Sequence, residues 1–161
     1  MVKLKHLIRY IVDNYPYKAE LSNARLTKLV YLADWYGVLI KGRQLTEIEW
    51  QFNHDGPYVD DVINEVKEDP YMRITKTKTA YGNEKQLIEM KMSVLSNFFK
   101  SKLDEDTKVI LNKVIEDTKL LYWQDFISYI YETYPIINSE RYDILDLESL
   151  GKECKEKGIK I

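Results

Sequence analysis

The stretch RLTKLVYLADWYGVLI, Arg25 to Ile40, limits the folds open to this chain more than any other. At helical spacing, Leu26, Leu29, Val30, Ala33, Tyr36, Gly37 and Ile40 make one apolar face. Tyr31, Leu32, Trp35, Val38 and Leu39 cover much of the other side. A helix apolar nearly all round is stable only when other elements surround it, so this segment is predicted to be the central core helix. Ser22 stands where an N-cap belongs, and Gly42 where a glycine ends a helix.

The rest of the chain supplies what could surround it. Leu4, Leu7, Ile8, Ile11 and Val12 repeat at helical spacing, and Pro16 follows as a stop. IEWQFN alternates Ile48, Trp50 and Phe52 with polar residues, as a half-buried strand does. After Pro57 a short helix is predicted with Val59, Val62, Ile63 and Val66 inward and Asp60 and Asp61 in its first turn, where the helix dipole favours acids. YMRITKTKTAYGNEKQLIEMK reads as a β-hairpin turning near Tyr81, Gly82 and Asn83. Val94, Leu95, Phe98 and Phe99 predict a short helix, and Asp104 is placed to cap a longer one bearing Leu111, Val114, Ile115 and Tyr122. A last helix would carry Trp123, Phe126, Ile127, Ile130, Tyr131 and Tyr134 and stop at Pro135. The expected fold is a predominantly helical α+β domain, with a short strand and a β-hairpin inserted between helices. It spans 1–150 as one domain, with a loose charged tail, GKECKEKGIKI, over 151–161.

Composition narrows the function classes. At 161 residues the chain can bury a sizeable core without a disulfide or metal staple. Cys154 is the only cysteine, which fits a reducing, cytoplasmic setting. The N-terminus, MVKLKHLIRYIVDNY, lacks the uninterrupted apolar run of a signal peptide, and no stretch is apolar for the ~20 residues of a membrane span. A soluble protein is expected. The 24 basic and 26 acidic side chains are interspersed, without the basic excess of a nucleic-acid module. Only RITKTKT, Arg73 to Thr79, is locally basic, and period-two spacing is expected to put Arg73 and the nearby lysines mainly on the wet face of its strand. Tyrosine outnumbers phenylalanine 13 to 4, which suits a core boundary or a protein interface. A general richness in Lys, Ile, Asn and Tyr is the plainer source.

The segment WQFNHDGPYVDDVINEV, Trp50 to Val66, holds the candidate chemistry. His54 is one of two histidines; the other, His6, falls on the polar side of the first helix. HExxH, CxxC, GxSxG, GxxxxGK[ST] and GxGxxG spacings are all absent, so neither a zinc site, a nucleophile elbow nor a phosphate cradle is indicated. No cofactor or metal is expected, and no catalysis. The turn chemistry supports a strand-to-helix junction instead. Gly56 permits the turn, Pro57 suits a first helical position, and Asp55 or Gly56 would be the cap. His54, Asp55, Tyr58 and Asp61 are then candidates for contact with a partner.

Arg25 to Val66 resembles the N-terminal half of the Panacea domain, the SocA-like antitoxin family. The likeness rests on Leu26, Lys28, Leu29, Val30 and Tyr31 in the helix, Gly42 and Leu45 in a turn, and Trp50 in a strand. Gly56 and Pro57 follow, then Val59 and Val62 in an aliphatic helix. LDEDTKVILNKVIEDTKLLYWQDFISYIYETYP is similar, more loosely, to the family's closing helices. The family commonly has Tyr or His directly before Gly-Pro-Val, whereas here His54 is shifted by Asp55 and Tyr58 follows Pro57. A shifted histidine argues against a fixed catalytic group. The resemblance implies an antitoxin of a bacterial or phage toxin–antitoxin pair that neutralises a cognate toxin by direct contact, with delivery of the toxin to a protease in some members. The alternative from another class is a regulatory or adaptor module, phage-encoded, acting on a host protein or on DNA. A toxic neighbouring gene would favour the first and an isolated gene the second.

Overall fold

A computed structural model describes residues 1–91 and 102–159. The central helix is α2, Asn23–Lys41, and every residue from Arg25 to Val38 is buried. Ser22 Oγ accepts from Arg25 N, and Gly42 ends the helix at φ 79°, as its position in the sequence predicts. Only the last of the expected inward residues departs: Ile40 is exposed, because the chain leaves the core at that turn.

Four helices and a hairpin strand enclose α2. They are α1 (Leu4–Asn14), α3 (Asp61–Glu68), α4 (Glu105–Thr118), α7 (Leu147–Glu156) and β4 (Glu84–Met90). A buried Arg9–Asp69 pair, at 2.6 and 3.0 Å, ties α1 to the end of α3. Strand β3 (Met72–Lys78) pairs antiparallel with β4, and Ile88 of β4 donates its N–H to Leu21 O just before α2. On β3, Arg73, Lys76 and Lys78 are all exposed, as expected, although Arg73 and Lys76, three residues apart, fall on opposite faces of the strand. Arg73 and Lys76 meet Glu89 and Glu84 across the hairpin. A second sheet, ordered β2-β1-β5, joins Gly56–Pro57, Trp50–Asn53 and Ile144–Leu145. The fold is α+β and predominantly helical, with small antiparallel sheets.

Leu29 is fully buried on α2. Leu29→Ala should cost about 3 kcal/mol through lost transfer free energy and the cavity left behind. An unchanged melting temperature would contradict that burial.

The loop from Gln44 to Trp50 is held to α2 by one carboxylate. Asp34 Oδ1 accepts from the N–H groups of Leu45 and Thr46, both at 2.9 Å. Its Oδ2 accepts from Thr46 Oγ1 at 2.6 Å, Trp50 Nε1 at 2.9 Å and Gln44 Nε2 at 3.2 Å. Burial lifts this carboxyl to about 6, although the hydrogen bonds from Thr46, Trp50 and Leu45 pull the other way.

Several boundaries differ from the sequence reading. Pro57 does not start a helix, and neither Asp55 nor Gly56 caps one. Pro57 pairs with Phe52, Tyr58 donates its N–H to Gln51 O, and α3 begins at Asp61 with Asp60 at the cap position. β2 is an edge strand, where a proline without an N–H is tolerated. Tyr122 is not on α4, which ends at Thr118. It is the exposed N-cap residue of α5, Trp123–Tyr131, after a turn in which Leu121 O accepts from buried Arg25. Pro135 does not stop that helix. It lies in the first turn of α6, Tyr134–Ile137, where its missing N–H costs nothing. The segment from 151 is not loose through Glu156: it completes α7, with Gly151 pressed on Val38 so closely that no Cβ fits, and Cys154 buried. The helix expected over Val94, Leu95, Phe98 and Phe99 lies outside the described residues.

Candidate partner-binding site

The short strands β1 and β2 form a hairpin whose tip is His54-Asp55. Both side chains are exposed. Asn53 Nδ2 donates to Tyr58 O at 3.0 Å, closing the loop from within, and Arg141 Nε donates to His54 O at 3.1 Å from outside. The Arg141 guanidinium also lies 5.7 Å from the Phe52 ring centroid.

Behind the tip is the core helix. Gly56 has φ 106°, and a Cβ there would lie 3.4 Å from the Tyr131 ring and 3.6 Å from Lys28 Cε. The glycine is therefore required by its backbone angle, with Lys28 and Tyr131 packed close around it. Lys28 is 2% exposed. Its Nζ lies 6.0 Å from the Tyr58 ring centroid. Among the described residues it donates no hydrogen bond and has no carboxylate within ion-pair distance. Desolvation lowers this amine to about 8, and the Asp55 charge, acting from farther away, holds it from falling lower. Tyr58 is half-buried, and its hydroxyl accepts from Asn23 Nδ2 at 3.2 Å, while Asn23 Oδ1 accepts from Thr27 Oγ1 at 3.2 Å.

Of the residues singled out in the sequence, the fold gathers Lys28, Asp55, Gly56, Pro57 and Tyr58. Tyr31 and Trp50 meet edge to face at 5.7 Å in the core, beside Leu26 and Leu29. They support the hairpin rather than join its surface. Asp61 is exposed in the first turn of α3, past the hairpin. Sequence reasoning missed Asn23, Thr27, Tyr131 and Arg141. No local pattern marks them, because each meets the site through tertiary packing.

Gly56→Val should cost about 1–3 kcal/mol, since a β-branched side chain is strained at that φ. His54→Ala should change stability by no more than about 0.5 kcal/mol, as an exposed surface substitution. Thermal unfolding of the two variants checks the order, and a reversed order would mean the imidazole organises the turn.

Among the described residues, no group of three or more His, Cys, Asp or Glu side chains is arranged to hold a metal ion. No helix among them is long and apolar enough to cross a membrane. Cys154 is enclosed on α7, where burial raises its thiol above the ordinary range.

An all-round buried helix carrying a largely buried lysine beneath a Gly-Pro hairpin defines a helical α+β domain. The family model for the antitoxin SocA-like, Panacea domain matches residues 26–135, well over half of the chain. The chain belongs to that family. The match runs from α2 to α6 and takes in the whole β1–β2 hairpin, while α1, α7, Asn23 and Arg141 lie outside it. No curated protein and no solved structure matches the chain. Family membership assigns an antitoxin role in general terms, and with it a toxin partner.

Proposed function

We propose that this protein neutralises a cognate protein toxin in the cytoplasm by direct, stoichiometric and non-catalytic binding. Family membership carries the antitoxin role. One feature of the site supports direct contact: Lys28, a lysine whose side chain is almost wholly buried, sits behind an exposed acidic turn and donates no hydrogen bond among the described residues. A charge held mostly out of water costs stability, so an acceptor supplied by a partner at this surface would account for its retention. The proposed contact surface comprises His54, Asp55 and Tyr58 on the hairpin, Asp61 on α3, and Lys28 beneath.

The test is co-expression with the product of the neighbouring gene. That product alone should arrest growth, the pair should grow normally, and the two proteins should co-purify at fixed stoichiometry. Growth arrest that persists despite full expression of folded antitoxin would sink the proposal. Rescue without a complex would replace direct binding with an indirect mechanism.

A further inference from the structure

A second polar feature lies elsewhere. A cavity of about 420 Å³ opens between the start of α1, the end of α2 and the start of α4. Lys3, His6, Lys41, Arg43 and Lys102 line it, together with one acid, Asp104. Several basic side chains elsewhere pair with acids, Arg73 with Glu89, Lys76 with Glu84, Lys108 with Glu105, Lys113 with Asp117, Lys119 with Glu116 and Lys157 with Glu153, while others, Lys28 among them, form no ion pair among the described residues. Lys3, Lys41 and Arg43 have no such partner among the described residues. The one acid, Asp104, is held ionised by its N-cap hydrogen bond from Thr107 N at 2.7 Å and by the nearby Lys41 and Arg43 charges, so it offsets a single charge and leaves the cavity net positive. His6 Nδ1, in the cavity wall, is a further buried polar atom without a hydrogen-bond partner among the described residues. The ring is held neutral by burial and by the surrounding cations, so it adds a polar contact rather than a charge.

Like charges brought to one concave site repel each other, and the repulsion is relieved when an anion occupies it. We propose that this cavity binds a small ligand through a diphosphate group, held by Lys3, Lys41 and Arg43. The arrangement favours a compact polyanion over nucleic acid, because the cations come from different elements around one hollow instead of forming a stripe. A single carboxylate of a protein partner would leave most of the positive charge unmatched. The planar Arg43 fork suits paired phosphate oxygens, and the two lysines supply mobile point charges. The diphosphate could be inorganic pyrophosphate or part of a nucleotide.

Titration calorimetry at low ionic strength tests this with pyrophosphate, ADP and adenosine as probes. Pyrophosphate and ADP should each bind at one site per chain, and adenosine should not. The double variant Lys41→Ala/Arg43→Ala should weaken both by about tenfold or more, as expected for losing charge-assisted phosphate contacts. Its melting curve should stay close to the wild type, since neither side chain forms an ion pair among the described residues and only the Asp104 charge acts on them, through solvent. A control, Arg73→Ala/Lys76→Ala, should bind as the wild type does. ADP binding more tightly than pyrophosphate would identify a nucleotide site, and equal affinity would identify a site for the diphosphate alone. Absence of binding heat with both phosphates, or affinity unchanged in the folded double variant, would overturn the proposal. The measurement needs no toxin, so its outcome is independent of the antitoxin reading.

Discussion

Asp34→Asn should destabilise the protein by about 3–5 kcal/mol, through loss of charge-assisted hydrogen bonds and stranding of buried donors. Five donors converge on this carboxylate, and an amide accepts on one side only. If the amide oxygen takes the two backbone N–H groups, its NH₂ faces Trp50 Nε1, a donor with no capacity to accept. The reverse orientation loses both backbone bonds instead. Urea unfolding followed by tryptophan fluorescence reads the change directly, because the Trp50 indole belongs to the network. A cost under about 1 kcal/mol, the worth of one ordinary hydrogen bond, would show that this carboxylate does not hold the loop to the core helix.

Lys28→Met should move stability the other way while removing function. Methionine fills a similar volume without a buried charge, and such replacements are often neutral or stabilising. The amine titrates near 8 in the folded protein against 10.5 for an ordinary lysine, which sets an upper limit of about 3 kcal/mol on the gain at pH 7. The sign follows from proton counting. Between about pH 8 and 10.5 the unfolded chain binds more protons at this position than the folded one, so wild-type stability rises with pH there. The burial penalty is fully present below that window and relieved above it. The advantage of Lys28→Met over the wild type should therefore be largest at neutral pH and shrink by pH 10. Under the proposed function, the stabilised variant should also fail to rescue growth from the toxin. A variant that is more stable and neutralises normally would remove Lys28 from the contact surface. A variant less stable at pH 7 would mean that the ammonium is satisfied inside the fold.

Much of the architecture could be read without coordinates because it depends on near neighbours along the chain. The Ser22 cap acts on Arg25, three residues away, and the Gly42 stop needs only a backbone free to adopt positive φ. The hairpin turn near Gly82 is equally local. The misread boundaries were those where a distant partner outweighed a local preference. Pro57 has the geometry of a helix start, but pairing of Phe52 with Pro57 and of Tyr58 N–H with Gln51 O keeps the chain extended beyond it. Charged residues suggested a free tail from 151, yet Gly151 packs on Val38 and Trp35 of α2 and Cys154 is buried.

The candidate site divides the same way. The residue pattern alone determined that the protein has one dominant core helix, that Gly56 marks a tight turn, and that Lys28, Gly56 and Pro57 belong to one family motif. Only the tertiary structure decided that Lys28 lies inside, next to Gly56, with Tyr131 closing the other side and Arg141 steadying the tip. Helical periodicity ranks a lysine as a surface residue, because its charge prefers water. Whether water reaches it depends on elements far along the chain, around Gly56 and Tyr131, and a one-dimensional pattern holds no information on how those elements stack.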